Sequence, residues 1–153
     1  PDDALARAAR DLRLRRNFQG FTEDQAEVLI GLGASAISQF PGLLAQNEKA
    51  AGRYRMRTLA GGFAVERGVR RTLEDQARGR IVEALLCAGE AGAEIERFPE
   101  SLSALQPFVD AGLVAREPGA LKLSPDALPY ARAIAACFDP YRQADPRRFS
   151  SAV

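Results

Sequence analysis

Thr72-Leu73-Glu74-Asp75 has the form of an N-terminal capping box, and it opens the one long helical pattern in the chain. Leu73, Ala77, Ile81, Leu85 and Ala88 recur at helical spacing, with Val82 and Leu86 widening the apolar stripe. Gly89 and Gly92 punctuate the end. The elements C-terminal to this helix are shorter. A short piece near Ile95–Phe98 leads to a second helix over Leu102–Ala111, stopped by Gly112. Leu113-Val114-Ala115 and Leu121-Lys122-Leu123 flank Glu117-Pro118-Gly119 and read as a small hairpin. Ser124-Pro125-Asp126 opens a last helix to about Phe138, with Pro125 at its first position and Pro129 early enough to be tolerated. The tail from Asp139 is polar and contains proline. Helix, helix, hairpin, helix from 72 to 138 is the order of a winged helix.

The first half is less regular. Asp2 and Asp3 are placed to cap a helix through Leu12, with Leu5, Ala8, Ala9 and Leu12 inward. The basic stretch Arg13–Arg16 comes next, then a turn or loop at Asn17-Phe18-Gln19-Gly20. Residues 28–34 are an apolar run that suits a buried strand or a helix segment, and its two glycines favour a strand approached closely by backbone or ligand. Pro41-Gly42 signals a turn. Asn47 is read as the cap of a helix to Leu59, with Ala50, Ala51, Tyr54 and Leu59 inward and Gly61-Gly62 ending it. Residues 63–71 read as an arginine-rich connection.

Composition removes several kinds of chemistry. The chain has 153 residues, enough for one compact domain or for a small domain and a piece of another. A net charge of +1 gives no global field for nucleic acid or a membrane surface. No apolar run reaches the roughly 20 residues of a bilayer span. With no histidine, a Ser-His-Asp triad, a Cys-His dyad and a histidine zinc site are all excluded. Two separated cysteines, Cys87 and Cys137, make no disulfide framework, so a reducing cytoplasm is the expected location. The chain opens on Pro1 without an initiator methionine or a signal-peptide pattern, and it is expected to be a piece of a longer protein.

Arg16-Asn17-Phe18-Gln19-Gly20-Phe21-Thr22 resembles the Arg-Asn-Phe-Gln-Gly-aromatic-Thr motif of the oxygen-independent coproporphyrinogen III oxidases. Gly31-Leu32-Gly33-Ala34-Ser35-Ala36-Ile37-Ser38 is similar to that family's Gly-x-Gly-x-Ser-Ala-Ile segment. Gln46-Asn47, Arg67-Gly68, Cys87, Cys137-Phe138-Asp139 with Tyr141, and Phe149-Ser150 continue the match in register. The resemblance covers essentially the whole chain and corresponds to about the last third of the family's length. Arg15, Val28 and Leu44 depart from it, where members often carry histidine, an acid and tyrosine.

The resemblance implies a mainly α fold with a small β-hairpin: a winged-helix-like C-terminal domain preceded by terminal elements of a radical-SAM (β/α) barrel. On that basis residues 1–40 are assigned to the end of the barrel, 41–71 to a linking helix and connection, and 72–153 to the C-terminal helical domain. Cut off from neighbouring strands, the run 28–34 is expected to be exposed, reorganised or paired with another copy.

The family converts coproporphyrinogen III to protoporphyrinogen IX in haem biosynthesis. A [4Fe–4S] cluster cleaves S-adenosylmethionine, and the resulting radical initiates loss of carbon dioxide from two propionates. The cluster needs three closely spaced thiolates, which Cys87 and Cys137 do not supply. Both sit among apolar residues as small hydrophobes would. No catalytic residue or metal ligand is therefore expected, no cofactor is expected on the chain alone, and the missing catalytic barrel is its natural partner surface. The resemblance assigns Phe18, Gln19 and Ile37 to S-adenosylmethionine binding. Their bare chemistry allows either two core residues and a turn cap or an apolar wall with a polar handle. Among the arginines, Arg67 and Arg78 stand at family-typical positions and are candidates for the porphyrinogen carboxylates, although a solvated face explains most arginines equally.

Two rivals remain. A winged-helix nucleic-acid module needs a basic or amide-bearing reading helix. Leu102–Ala111 has no lysine or arginine, Glu100 precedes it, and only Gln106 offers an amide. A stand-alone interaction module is separated from an enzyme fragment by whether the reading frame continues upstream into a CxxxCxxC loop.

Overall fold

Asp3 caps the first helix: its carboxylate accepts the Ala6 N–H at 2.8 Å, opening α1, Ala4–Arg10. The computed structural model describes residues 3–142, so Asp2 and the Phe149-Ser150 motif lie outside the described residues. Of the expected inner face only Ala8 is buried. Leu12 has left the helix at φ 53°, which carries its side chain off the stripe. The chain divides into two compact units, Pro1–Glu83 and Ala84–Val153.

The first unit is richer in strands than its sequence suggests. Arg15–Asn17 (β1) and Gly20–Thr22 (β2) form an antiparallel hairpin around the two-residue loop Phe18-Gln19. The turn is built locally: Asn17 Oδ1 accepts the Gln19 N–H at 2.8 Å, and Gly20 takes φ 138°. Residues 28–34 are not a regular strand. Leu29 alone exchanges backbone bonds, pairing with Gln39, while Val28, Ile30 and Leu32 are 45, 69 and 86% exposed. Gly33 at φ 106° and Ser35 at φ 61° turn the backbone out of the extended region, which breaks the run. The glycine signal was nevertheless meaningful. A Cβ on Gly31 would lie 2.6 Å from the Ile37 carbonyl oxygen, so two backbones do meet there.

Ile37–Phe40 (β3) and Leu43–Asn47 (β4) pair antiparallel across the Pro41-Gly42 turn. Asn47 does not cap a helix. It ends β4, and the helix begins later, as α2, Ala51–Leu59, with no side-chain cap at Ala50. The helix is exposed apart from half-buried Tyr54, so Ala50, Ala51 and Leu59 do not face a core. Gly61 ends it at φ 76°. The stretch 63–71 holds a strand, β5, Val65–Arg70, which adds to β4 and makes a three-stranded antiparallel sheet in the order β3-β4-β5. No hydrophobic alternation marks β5, whose residues are all exposed.

The capping box forms reciprocally. Thr72 N–H and Oγ1–H donate to Asp75 Oδ2 at 2.7 and 2.8 Å, and Asp75 N–H donates to Thr72 Oγ1 at 3.0 Å. It opens α3, Leu73–Ala88. Ala77, Ile81 and Leu85 are buried as their spacing requires. Leu73 and Ala88, the terminal residues of the stripe, are exposed.

In the second unit Glu90–Ala91 forms a short strand, β6, succeeded by a 3₁₀ turn over Ala93–Arg97. The helix expected over Leu102–Ala111 is two: α4, Pro99–Ala104, and α5, Gln106–Asp110. Pro107 has no N–H to continue the first and sits instead in the opening turn of the second. Val114–Glu117 (β7) and Ala120–Leu123 (β8) make the expected hairpin, and β6 adds to it in the order β6-β8-β7. The last helix is also broken: a 3₁₀ segment Pro125–Tyr130 around Pro129 precedes α6, Ala131–Ala135, and a final 3₁₀ turn reaches Phe138. Ile95, Phe98, Leu102, Leu105, Leu121, Ile134 and Phe138 supply the buried core. No helix among the described residues is long and apolar enough to cross a membrane.

Candidate functional site

The sequence motifs of the first unit converge on one sheet and one hairpin. Gln46 stands directly opposite Ile37 on one side and Arg67 on the other, so Ile37, Gln46 and Arg67 form a single cross-strand row. Strand alternation puts Gln39, Leu44 and Val69 in the next row of the same face. The face combines apolar walls, two amides and a cation. On the opposite face Ser38 and Ala45 are buried.

The loop that delivers Ile37 to this row is held at Gly31, Gly33 and Ser35, each through both its N–H and its carbonyl. Gly31 N–H donates to Ser38 Oγ at 3.1 Å and Gly33 N–H to the Tyr54 hydroxyl at 3.0 Å. Asn47 Nδ2 donates to the Gly31 and Gly33 carbonyls at 3.1 and 3.0 Å. Gln46 Nε2 donates to the Ser35 carbonyl at 3.1 Å, and Ser35 N–H donates to the Glu48 carbonyl at 2.9 Å. Such a set of bonds is what keeps a non-glycine residue like Ser35 at φ 61°.

Glu48 ties α2 to the same place. Its side chain is 2% exposed and accepts from Arg53 Nη2 at 2.9 Å and from the Ala50 N–H at 3.1 Å, with Arg57 at 3.8 Å. The Arg53 hydrogen bond, first, and the Ala50 N–H hold its carboxyl well below the usual range, at about 2.

Phe18 and Gln19 occupy the exposed tip of the β1–β2 hairpin. The hairpin's base is anchored by Glu83 on α3, whose Oε1 accepts Arg15 Nε at 2.8 Å and Arg16 N–H at 3.0 Å. At that base a shallow, solvent-open cleft is lined by Arg15, Arg16, Asn17, Thr22, Asp24, Ala26, Leu29 and Gln39, so hairpin and sheet share one depression.

Arg67 and Ile37 thus share a row, while Phe18 and Gln19 belong to the neighbouring hairpin. Arg78 lies on a different element. It is buried on α3, and its Nε and Nη2 donate to Glu74 Oε1 at 3.0 and 2.8 Å. Sequence reasoning named Gln46 only as a motif letter, read Asn47 as a helix cap as well, and gave Tyr54, Glu48 and Glu83 no role in the site. The adjacent polar triplet Gln46-Asn47-Glu48 at a strand end was the available signal. Arg15 and Glu83, 68 residues apart, gave none.

Both cysteines are free thiols. The Cys137 thiol donates to the Ala133 and Ala104 carbonyls at 3.6 and 3.8 Å, and burial pushes its pKa up. Among the described residues no cluster of three His, Cys, Asp or Glu side chains is arranged to hold a metal.

No protein-family model matches the chain. The chain is 44% identical over 154 residues to the oxygen-independent coproporphyrinogen III oxidase of Paracoccus denitrificans, a match covering 94% of this chain and 34% of the relative. It is 37% identical to the enzyme of the same name from Bradyrhizobium diazoefficiens, over 100% of this chain and 36% of that one. The fold is similar to that of coproporphyrinogen III oxidase from Escherichia coli, described as a radical SAM enzyme, with a TM-score of 0.85 and 32% identity over 93% of this chain and 35% of that one. The chain is therefore similar along nearly its whole length to oxygen-independent coproporphyrinogen III oxidases, and spans about a third of theirs.

Proposed function

We propose that the chain is the C-terminal part of an oxygen-independent coproporphyrinogen III oxidase, an oxidoreductase of porphyrin and haem biosynthesis acting in the cytoplasm. The observation that carries this reading is the joint similarity of sequence and fold through nearly all of the chain. In the whole protein a [4Fe–4S] cluster and S-adenosylmethionine supply the radical chemistry that turns two propionates of coproporphyrinogen III into vinyl groups.

This chain's residues do not fit the cluster. Cys87 and Cys137 lie far apart in sequence, and Cys137 is a half-buried thiol bound to backbone carbonyls. The thiolates belong to the remaining two-thirds of the protein, and the chain alone is inactive. The residues do suit a share in holding S-adenosylmethionine. Phe18 offers an aromatic face at an exposed tip, Gln19 a donor and an acceptor, and Ile37 an apolar contact on a backbone fixed by Gly31. Arg67 and Arg78 are the chain's candidates for porphyrinogen carboxylates. Arg67 is the stronger, because Glu74 already takes the Arg78 fork.

In this reading residues 1–40 are the end of a radical-SAM barrel, and residues 72–153 a winged-helix-like domain that helps enclose the substrate and exclude water in the whole protein. A nucleic-acid role for that domain is disfavoured. Gln106, the amide on its reading helix, is spent on Asp110 Oδ1 at 2.7 Å.

The test is calorimetric titration of S-adenosylmethionine into this chain and into the complete protein. Binding by the complete protein alone is expected. Binding by neither overturns the reading.

A further inference from the structure

The exposed face of the β3-β4-β5 sheet presents a cation that is aimed but not neutralised. Arg67 Nε and Nη2 both donate to one neutral acceptor, Gln46 Oε1, at 3.0 and 2.8 Å. Gln46 is itself fixed, because its Nε2 donates to the Ser35 carbonyl at 3.1 Å. An amide turned end for end would lose bonds on both sides. Three other arginines of this unit direct their forks to carboxylates, Arg15 to Glu83, Arg53 to Glu48 and Arg78 to Glu74, while Arg57 and Arg71 also donate to backbone carbonyls. Arg67 has no carboxylate partner among the described residues.

Gln46 occupies only the Nε–Nη2 edge of the guanidinium. The Nη1–Nη2 end remains, and that end takes a carboxylate through two parallel hydrogen bonds. Ile37 lies two strands away in the same row, about 10 Å at ordinary strand spacing. A ligand whose carboxylate meets Arg67 lays its body across Gln46 towards Ile37.

We propose that Arg67 is a carboxylate receptor on this sheet face, and that Gln46 is its positioning residue. The neutrality of Gln46 is the essential property. A glutamate there would aim the fork as well, and more tightly, but would cancel the charge the ligand needs. The carboxylate chemistry stands on the row itself. Its source in the cell rests on the proposed function, which offers two: the amino-acid end of S-adenosylmethionine, or a propionate of the porphyrinogen.

The first arm uses this chain and sodium propionate, with sodium chloride as control, tracking by NMR the backbone amides of residues 46 and 67, which every variant retains. A saturating shift is expected in the wild type, at least about tenfold weaker in Gln46→Glu and absent in Arg67→Gln. Gln46→Glu keeps the acceptor for the fork but loses the donor to the Ser35 carbonyl, so Gln46→Leu, which loses both bonds without adding charge, is the control: propionate binding weakened as much in Gln46→Leu as in Gln46→Glu assigns the loss to structure and overturns the role of neutrality. Equal binding by wild type and Gln46→Glu, or no saturable shift in the wild type, overturns the proposal whether or not the chain belongs to an oxidase.

The second arm uses the complete protein with two ligand pairs: S-adenosylmethionine against its decarboxylated form, and coproporphyrin III against its tetramethyl ester. The pair whose discrimination collapses in Gln46→Glu names the source. Discrimination unaffected in both pairs overturns the proposal while leaving the oxidase reading in place.

Discussion

Gly31→Ala isolates one backbone contact and gives it a size. The added Cβ would stand 2.6, 2.8 and 2.9 Å from the oxygen, carbon and nitrogen of Ile37, where ordinary contact begins at 3.4 Å. All three neighbours are backbone, so no rotamer relieves the overlap, and one chain must retreat by about 0.8 Å. Neither is free to do so. Gly31 is bonded through its N–H to Ser38 and through its carbonyl to Asn47, while Ile37 pairs with Gln46. Overpacking of this kind costs about 1–3 kcal/mol, and the immobility of both partners argues for the upper half.

Two other glycines serve as controls. Nothing lies within 4 Å of a Cβ on Gly42, so Gly42→Ala stays within about 0.5 kcal/mol of wild type. Gly33 also has open space but sits at φ 106°, so Gly33→Ala costs about 1–3 kcal/mol through backbone strain alone. The assay is native-state hydrogen exchange of the Gln39 and Asn47 amides in each variant, with Ile37 amide shifts reporting displacement. Gly31→Ala moves the Ile37 resonance; Gly42→Ala does not. A Gly31→Ala protein as stable as Gly42→Ala, with Ile37 unmoved, refutes the close-approach account of this glycine.

Three other expectations rest on single groups. Glu48 has its folded pKa lowered from 4.5 to about 2, so its ion pairing stabilises α2 fully above about pH 4.5 and is lost as pH falls towards 2; hydrogen exchange at Tyr54 accelerates across that window, and Glu48→Gln removes the dependence. Leu85 is buried whereas Leu73 is 80% exposed, so Leu85→Ala lowers stability by about 2–5 kcal/mol and Leu73→Ala by less than about 0.5 in urea unfolding. Glu83→Ala releases the Arg15 side chain and the Arg16 N–H together; the pair is partly exposed, so the loss is at most about 1 kcal/mol, read as faster exchange of the Arg16 amide with α3 unaffected.

The part of the fold that could be read from the sequence is the part stabilised locally. The capping box at Thr72, the Pro41-Gly42 turn and the hairpin at 114–123 each rest on residues a few positions apart, so their patterns are complete within a short window. The broken helices of the second unit were legible in principle, since Pro107 and Pro129 stand where they break. β5 was not. Its six residues are all exposed, and a strand without a buried face has no period-two signal. Its place is fixed instead by backbone pairing with β4, more than 20 residues away in the case of Gln46 and Arg67.

Asn47 misled for a related reason. An asparagine ahead of a helical stretch is a good cap by propensity, and nothing local distinguishes that from an asparagine turned back onto Gly31 and Gly33. The candidate site inherits this asymmetry. Its motif letters were visible, but its connectivity was not: Gln46 matters because two strands place it between Ile37 and Arg67. A site assembled by strand register is more exposed to a one-residue slip than to most substitutions, since such a slip would turn Gln46 to the opposite face and break the row at a stroke. The bonds from Gln46, Asn47 and Glu48 to the Gly31–Ser35 loop resist that slip, because each is made at one register only. On this reasoning the polar triplet at the end of β4 sets the register of the sheet as well as the geometry of its exposed face.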